Sequence, residues 1–492
     1  MTQSNEVKLP KRVKSIAIIG GGASGAITLD SLIQEGKFDK ITLYERRDVL
    51  GGVWVLDHNP DQLDIPPGQS QDQLDPKVEI PNDLKLNQTF KTSRSKQQRY
   101  LHTASYEDLR TNIPEQLMTY SDEKTWGADP KLKVEEHYIR GIAIQNYIER
   151  YINRHSKNVV LRTTVESINK DYSIKDGSSQ FELTLRKETN LKDQDGNYID
   201  EWSIEKYDAV VIATGHYHVP YIPNVPGLNE VYQRFPSKIK HSKTFRASND
   251  FKDQTLIVIG SRASGADIVE IASNSAKFIY QSKRSEGPLR FEGKPNTQVK
   301  PTITKYELLN NKDIIVHFKD GSIVKNPDQI IYATGFRFSY PFLKDLYPNF
   351  TTGYINPDLY LHTFSIKDPL LSVIGAPTDA ISFRAFEFQA ILLSRFLSGK
   401  IHLPSLQEQI EWTLERFITK GDNRAYHTID LGGKLEYLAY LTELGGGVEP
   451  LGGTGRPFPT WTQSDLELHA AIQERFKKFF GEGELNEEQK KL

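Results

Sequence analysis

Two glycine turns constrain this chain more than anything else in it: Gly20-Gly-Gly-Ala-Ser-Gly25 and, 240 residues later, Gly260-Ser-Arg-Ala-Ser-Gly265. Each follows an apolar strand, Ser15–Ile19 or Leu256–Ile259, and each opens a run with helical spacing. In such a strand–turn–helix, backbone N–H groups and the helix N-terminus converge on a pyrophosphate. One turn is weak evidence, whereas two on one chain predict two bound nucleotides and electron traffic between them.

The 492 residues exceed the size at which a single core stops growing, so two or three lobes are expected. With 37% hydrophobic and 26% charged residues and a net charge of −2, the chain reads as soluble and globular. Its Lys and Arg are spread rather than massed, which argues against nucleic acid as a partner. Met1–Lys14 is not followed by an apolar leader core, and no 18-residue apolar run occurs, so no transmembrane segment and a cytoplasmic location are expected. There is no cysteine, which excludes disulfides, thiolate metal sites, thiol nucleophiles and dithiol redox centres together. Redox chemistry must then belong to a bound cofactor.

The first unit continues as a helix over 24–36 and a strand Lys40–Glu45. Glu45 falls where a carboxylate accepts hydrogen bonds from a ribose diol. Gly51-Gly52-Val53-Trp54 follows, with two glycines that permit close backbone approach to a ligand. Residues 57–104 are polar and aperiodic and read as a long surface excursion with limited structure. Apolar spacing predicts a helix over Gly141–His155, alternation around Asp195-Gly196-Asn197 predicts a hairpin, and Tyr207–Gly215 reads as a buried parallel strand. The second unit repeats the pattern with strand 255–259, helix 264–274 and strand Phe278–Gln281, then Ser282-Lys283-Arg284. Gln329-Ile-Ile-Tyr-Ala-Thr-Gly335 nearly copies the earlier Ala-Thr-Gly strand, which reads as the chain's return to the first unit. A strand Leu371–Gly375, an apolar helix Phe383–Leu397 and two amphipathic helices, 405–419 and 464–480, separated by a glycine-rich loop complete the chain. The expected division is 1–218 for the first domain, 219–328 for an inserted second, 329–404 for the remainder of the first, and 405–492 for a helical extension that packs or dimerises.

Over residues 14–404 the sequence resembles the flavin-containing monooxygenase family, nearest its soluble fungal and yeast-type members. The resemblance rests on Gly20-x-Gly22-x-x-Gly25, Gly51-Gly52-Val53-Trp54, Thr111-Asn112-Ile-Pro114, Ala213-Thr-Gly215, Phe235…His241…Phe245, Gly260…Ser264-Gly265-x-Asp267, Ala333-Thr-Gly-Phe-x-x-Ser-x-Pro341-Phe342 and Phe383-x-x-x-Glu387-x-Gln389-Ala390. It implies an α/β fold with two Rossmann-like domains, an FAD domain interrupted by an inserted NADPH domain. Gly20, Gly22, Ser24, Gly25, Glu45, Gly52, Val53, Trp54, Thr111, Asn112, Val165, Thr214 and Gly215 would hold FAD. Gly260, Ser264, Gly265 and Asp267 would hold the NADPH pyrophosphate; Ser282, Lys283 and Arg284 lie where a 2′-phosphate needs cations, and Arg262 is a further cofactor-binding candidate at the second turn.

The resemblance further implies that NADPH reduces FAD, that O2 adds at C4a, and that the hydroperoxyflavin passes one oxygen atom to a thiol, sulfide or amine. Asn112 would be the catalytic amide, a donor and acceptor that does not titrate. His241 is expected to be structural or gating rather than a proton carrier. Baeyer–Villiger enzymes end the 235–245 fingerprint in Trp, so Phe245 speaks against ketone oxygenation; an uncoupled NADPH oxidase and a flavin-bound redox sensor stay open. Two departures stand out. Ser237 replaces a glycine of the fingerprint, and Arg262 stands where a small residue is usual. Arg262 either crowds the phosphates or neutralises them, and its place at a helix N-terminus favours neutralisation. A homodimer is a further possibility.

Overall fold

The apolar strands of the two units form two separate parallel sheets. In this computed structural model the described residues are 6–9, 11–62, 64–97, 99–127, 140–171, 180–284, 294–378, 380–429 and 433–480. The first sheet runs in the order 359–360, 364–365, 371–373, 209–212, 15–19, 40–44, 159–160, antiparallel only at its first two pairings. Ile16, Ala17 and Ile18 are fully buried, as a parallel strand covered on both faces requires. Helices Ala23–Glu35 and Ser382–Leu397 pack there, and the former ends at Gly36 in the left-handed conformation.

The second sheet has five parallel strands in the order 239–241, 329–332, 255–259, 278–282, 297–300. Strand Gln329–Tyr332 therefore sits beside Thr255–Ile259, and the expected domain boundary between 328 and 329 falls inside this sheet. The cause is local. Each Ala-Thr-Gly segment closes over its own glycine turn, Ala213 donating to Ile19 O and Ala333 to Ile259 O at 2.9 and 2.8 Å. The crossing is made by a two-stranded antiparallel ribbon, Val219–Pro220 against Phe336–Arg337.

The meander 163–171, 180–192, 198–207 forms the expected hairpin, longer than anticipated, and takes Phe90–Ser93 as a fourth strand. Segment 57–104 is tied down at both ends. Arg94 and Arg99 reach the buried carboxylates Asp200 and Glu166 of the meander at 3.1 and 2.8 Å. Ile65, Leu74 and Tyr100 enter the apolar cluster of Val219, Ile257 and Tyr332 in the second unit. The C-terminal stretch expected to be a loop contains a helix, Lys434–Leu444. Arg456 beyond it is buried between Asp30 of the first helix and Glu387 of helix 382–397, 2.5 Å from each. The extension is thus packed into the first unit, and Leu403–Ser405 pairs with Glu6–Val7.

Candidate functional site

The two turns share one construction. Gly20 and Gly260 both have φ +114°, and a Cβ on either would lie 2.5 Å from Ala213 O or 2.6 Å from Ala333 O. A Cβ on Gly25 or Gly265 would lie 2.0 or 2.2 Å from the carbonyl of Gly20 or Gly260, so only glycine lets the helix approach the strand this closely. Gly20 N–H donates to Tyr44 O at 2.8 Å and Gly260 N–H to Ser282 O at 2.9 Å, fixing each turn to its second strand. Neither helix has a side-chain cap or an acid in its first turn, so the initial N–H groups and the helix dipole are left for an anion.

Around the first turn, Glu45 is 8% exposed and accepts from Gly21 N–H at 2.7 Å and Arg47 N–H at 2.9 Å, leaving lone pairs for a diol. Gly52 crosses directly over Gly22, since a Cβ on it would sit 2.8 Å from the Gly22 Cα. Ser24 is buried and donates to Ala213 O at 3.3 Å. Val53 is exposed, and Trp54 is half-buried against Gly141 of helix Gly141–Asn153. Val165 is buried where the meander's register shifts. Thr214 is half-buried and Gly215 exposed, with φ +67°. Thr111 is buried with no hydrogen-bond partner for its Oγ1, an unmet polar atom that a bound dinucleotide can satisfy, while Asn112 beside it is exposed. The glycine cradle and the Glu45 carboxylate fit a dinucleotide at this turn.

At the second turn Arg262 is the N-cap residue and its side chain is exposed, as is Ser264. Asp267 accepts a hydrogen bond from Tyr106 OH of the first unit, so its carboxylate pins the two units together. Ser282 is turned inward, 3% exposed and donating to Pro301 O at 2.9 Å, which spends its proton within the protein; Lys283 is half-buried and Arg284 exposed. The cationic end of this strand is thus carried by Lys283 and Arg284.

His241 is fully buried. Its Nδ1 accepts from Lys243 N–H at 3.1 Å, so Nε2 carries the proton and donates to Gly335 O at 2.9 Å. Burial pushes its pKa down to about 3, and it remains a neutral brace at the ribbon. Phe245 is buried against Tyr106 and Phe251. Sequence reasoning missed Arg246, which donates to Lys243 O, Phe245 O and Thr103 O at 2.7 to 2.9 Å and to Asp57 O. It also missed Lys243, which donates to His102 O. These two buried cations clamp the polar excursion to the second unit. Their only signal was charge flanking a fingerprint phenylalanine. Among the described residues, no group of three metal-ligating side chains occurs and no helix is long and apolar enough to cross a membrane.

The two units are Rossmann-like, each built around a glycine turn of dinucleotide-binding construction, an architecture of oxidoreductases. The chain belongs to the flavin-binding monooxygenase-like family, whose pattern matches residues 90–289 and 294–450. It is 28% identical over 415 residues to the flavin-containing monooxygenase FMO GS-OX-like 6 of Arabidopsis thaliana, covering 81% of this chain and 75% of the relative. It is 29% identical over 463 residues to the flavin-containing monooxygenase iboF of Amanita muscaria, with 85% of each covered. In fold it is similar to the S-allyl-L-cysteine S-oxygenase of Allium sativum, with a TM-score of 0.72, 24% identity and coverage of 97% and 95%. Cyclohexanone monooxygenase shares the fold more distantly, with a TM-score of 0.54, 13% identity and coverage of 88% and 98%. The protein is a flavin-dependent monooxygenase.

Proposed function

We propose that this enzyme uses FAD at the first turn and NADPH at the second to oxygenate soft nucleophiles, namely thiols, sulfides or amines. The observation that carries the reading is the unlike ending of two alike units. The first unit's second strand ends in the buried carboxylate of Glu45, which suits a ribose diol and repels a 2′-phosphate. The second's ends in Lys283 and Arg284, which suit one. The lack of cysteine excludes dithiol–disulfide exchange, and membership of the monooxygenase family supports O2 as the acceptor, one atom going to substrate and the other to water.

Bound FAD supplies the electron storage and oxygen activation. The chain supplies position and dryness. The first turn and the N-terminus of helix 23–35 hold a pyrophosphate, Thr111 offers its unmet hydroxyl, and the Tyr106–Asp267 hydrogen bond holds the second unit to the first. The amide of Asn112 can hydrogen-bond at the reacting end without changing charge, and it acts once cofactors and substrate cover it.

The test is the FAD-loaded enzyme given NADPH or NADH with a panel of thiols, thioethers, tertiary amines and cyclic ketones, peroxide being measured in parallel. NADPH-dependent oxygenated sulfur or nitrogen products establish the reading. Lactones from ketones move the enzyme to the Baeyer–Villiger class, stoichiometric peroxide makes it an oxidase, and an unreduced flavin sinks the reading.

A further inference from the structure

Helix Leu406–Lys420 is built inside out. It is firmly formed, with a Ser405–Glu408 capping box at its start and Gly421 at φ +72° after its end. Its inner face is fixed by Trp412 edge-on to Tyr360 and His362, with ring centroids 5.6 and 5.2 Å apart, and by Arg416 Nη2 donating to Thr428 O at 2.7 Å. Yet the residues it buries are polar, Gln409 and Thr413. The large apolar ones point outward: Leu406 is 49% exposed, Ile410 42%, Leu414 54%, Phe417 44% and Ile418 73%. These five are nearly a third of the sixteen large apolar side chains exposed among the described residues, on one face of one helix. Single exposed apolar residues need no explanation, but a continuous stripe does.

We propose that this stripe is the contact between two copies of the chain, packed antiparallel about a two-fold axis that passes level with Trp412. An isologous interface requires that residue i meet j and j meet i. About that axis Leu406 lies opposite Ile418 of the other copy and Ile410 opposite its Leu414, so four of the five exposed residues form reciprocal apolar pairs. Two stripes brought together remove on the order of 1,000 Å² of apolar surface from water, most of the ~1,200 Å² at which specific interfaces begin. Two other occupants suit the face less well. Glu408, Glu411 and Glu415 are exposed on the same helix and repel an anionic bilayer. Segment 481–492 has only Leu485 and Leu492 among charged and polar residues, too few to cover the stripe.

The full-length FAD-loaded protein is examined by sedimentation at micromolar concentration, beside the double variant Leu414→Glu with Ile418→Glu. A wild-type dimer, and a monomeric variant with unchanged flavin absorbance and turnover, is the expected result. The absence of native cysteines provides a second measurement that does not depend on breaking anything. Under mild oxidation the pair Ile410→Cys and Leu414→Cys should give a covalent dimer on a non-reducing gel, whereas Ile142→Cys, exposed on another helix, should not. A monomeric wild-type protein overturns the proposal, whether its stripe proves to be covered by vesicles of neutral lipid or by its own C-terminal segment. So does a variant that remains dimeric, or cross-linking that is no greater than at position 142.

Discussion

The two glycine turns have the same φ, the same contacts to an Ala-Thr-Gly strand and the same bond to a second strand, yet their surroundings differ. The first is enclosed: Gly52 lies across it, a buried carboxylate braces it, and Gln145 of helix 141–153 stands against the neighbouring Gly51. Among the described residues the second is the more open, with Arg262, Ser264 and Arg284 exposed. The difference teaches that a turn of pyrophosphate-binding type is a property of backbone shape, whereas what surrounds that shape would set the identity and residence of a nucleotide bound there. An enclosed turn suits a resident cofactor and an open one suits a cosubstrate that comes and goes.

The largest effect should come from acid, which breaks the comparison by acting on neither turn. His241, His362 and His427 are buried, and burial lowers the pKa of each. Asn356 N–H donates to His427 Nε2 at 3.0 Å, so His427 Nδ1 holds the proton and donates to His362 Nδ1, also at 3.0 Å. Because the folded pKa values lie below the unfolded value of about 6.5, the stability these groups contribute is present above that pH and is lost as pH falls through it. Between pH 7 and 5 His241, with its pKa near 3, should cost about 2 kcal/mol, His362 and His427 should add in the same direction, and thermal melts should show the midpoint falling together with flavin release.

Next, Gly25→Ala and Gly265→Ala should separate the tenants. Each new methyl strikes the carbonyl of the turn's first glycine, an overpacking cost of about 1–3 kcal/mol. Gly25→Ala should weaken FAD binding by roughly 10–100-fold, seen in flavin fluorescence, whereas Gly265→Ala should keep the flavin and raise KM for NADPH by a similar factor. Should both variants lose flavin alone, the assignment of the turns fails. A smaller effect is expected from Lys283→Ala with Arg284→Ala. KM for NADPH should rise about tenfold, as expected for losing charged hydrogen bonds to a phosphate, while KM for NADH stays unchanged. Smallest, Arg262→Gly should raise KM for NADPH by no more than a few-fold, about 0.3–1 kcal/mol for an exposed charge at a helix terminus. A fall instead would show that the side chain crowds the phosphates.

Much of this was legible in the chain because it is local. Helices 23–35, 263–272 and 382–397 begin and end within a residue or two of expectation, since apolar spacing and glycine punctuation lie within each segment. The strand 329–332 went astray because its Ala-Thr-Gly ending fits either unit, and only pairing with 255–259 chooses between them. Helix 434–444 was lost among its neighbouring glycines. Ser282 reads as a phosphate ligand from its neighbours in sequence, but its hydroxyl is spent on Pro301.

By itself the sequence determined that two glycine turns of like construction would form, that no thiol could carry electrons, and that the ends of the two second strands are unlike in charge, because each of these depends on neighbouring residues or on composition. The tertiary structure alone decided what closes over each turn, how Arg456, Lys243 and Arg246 bind distant segments together, and that one helix keeps its apolar face outward. Those outcomes depend on which segments far apart in the chain compete for the same space and the same hydrogen bonds, and that competition is settled only when the whole chain packs.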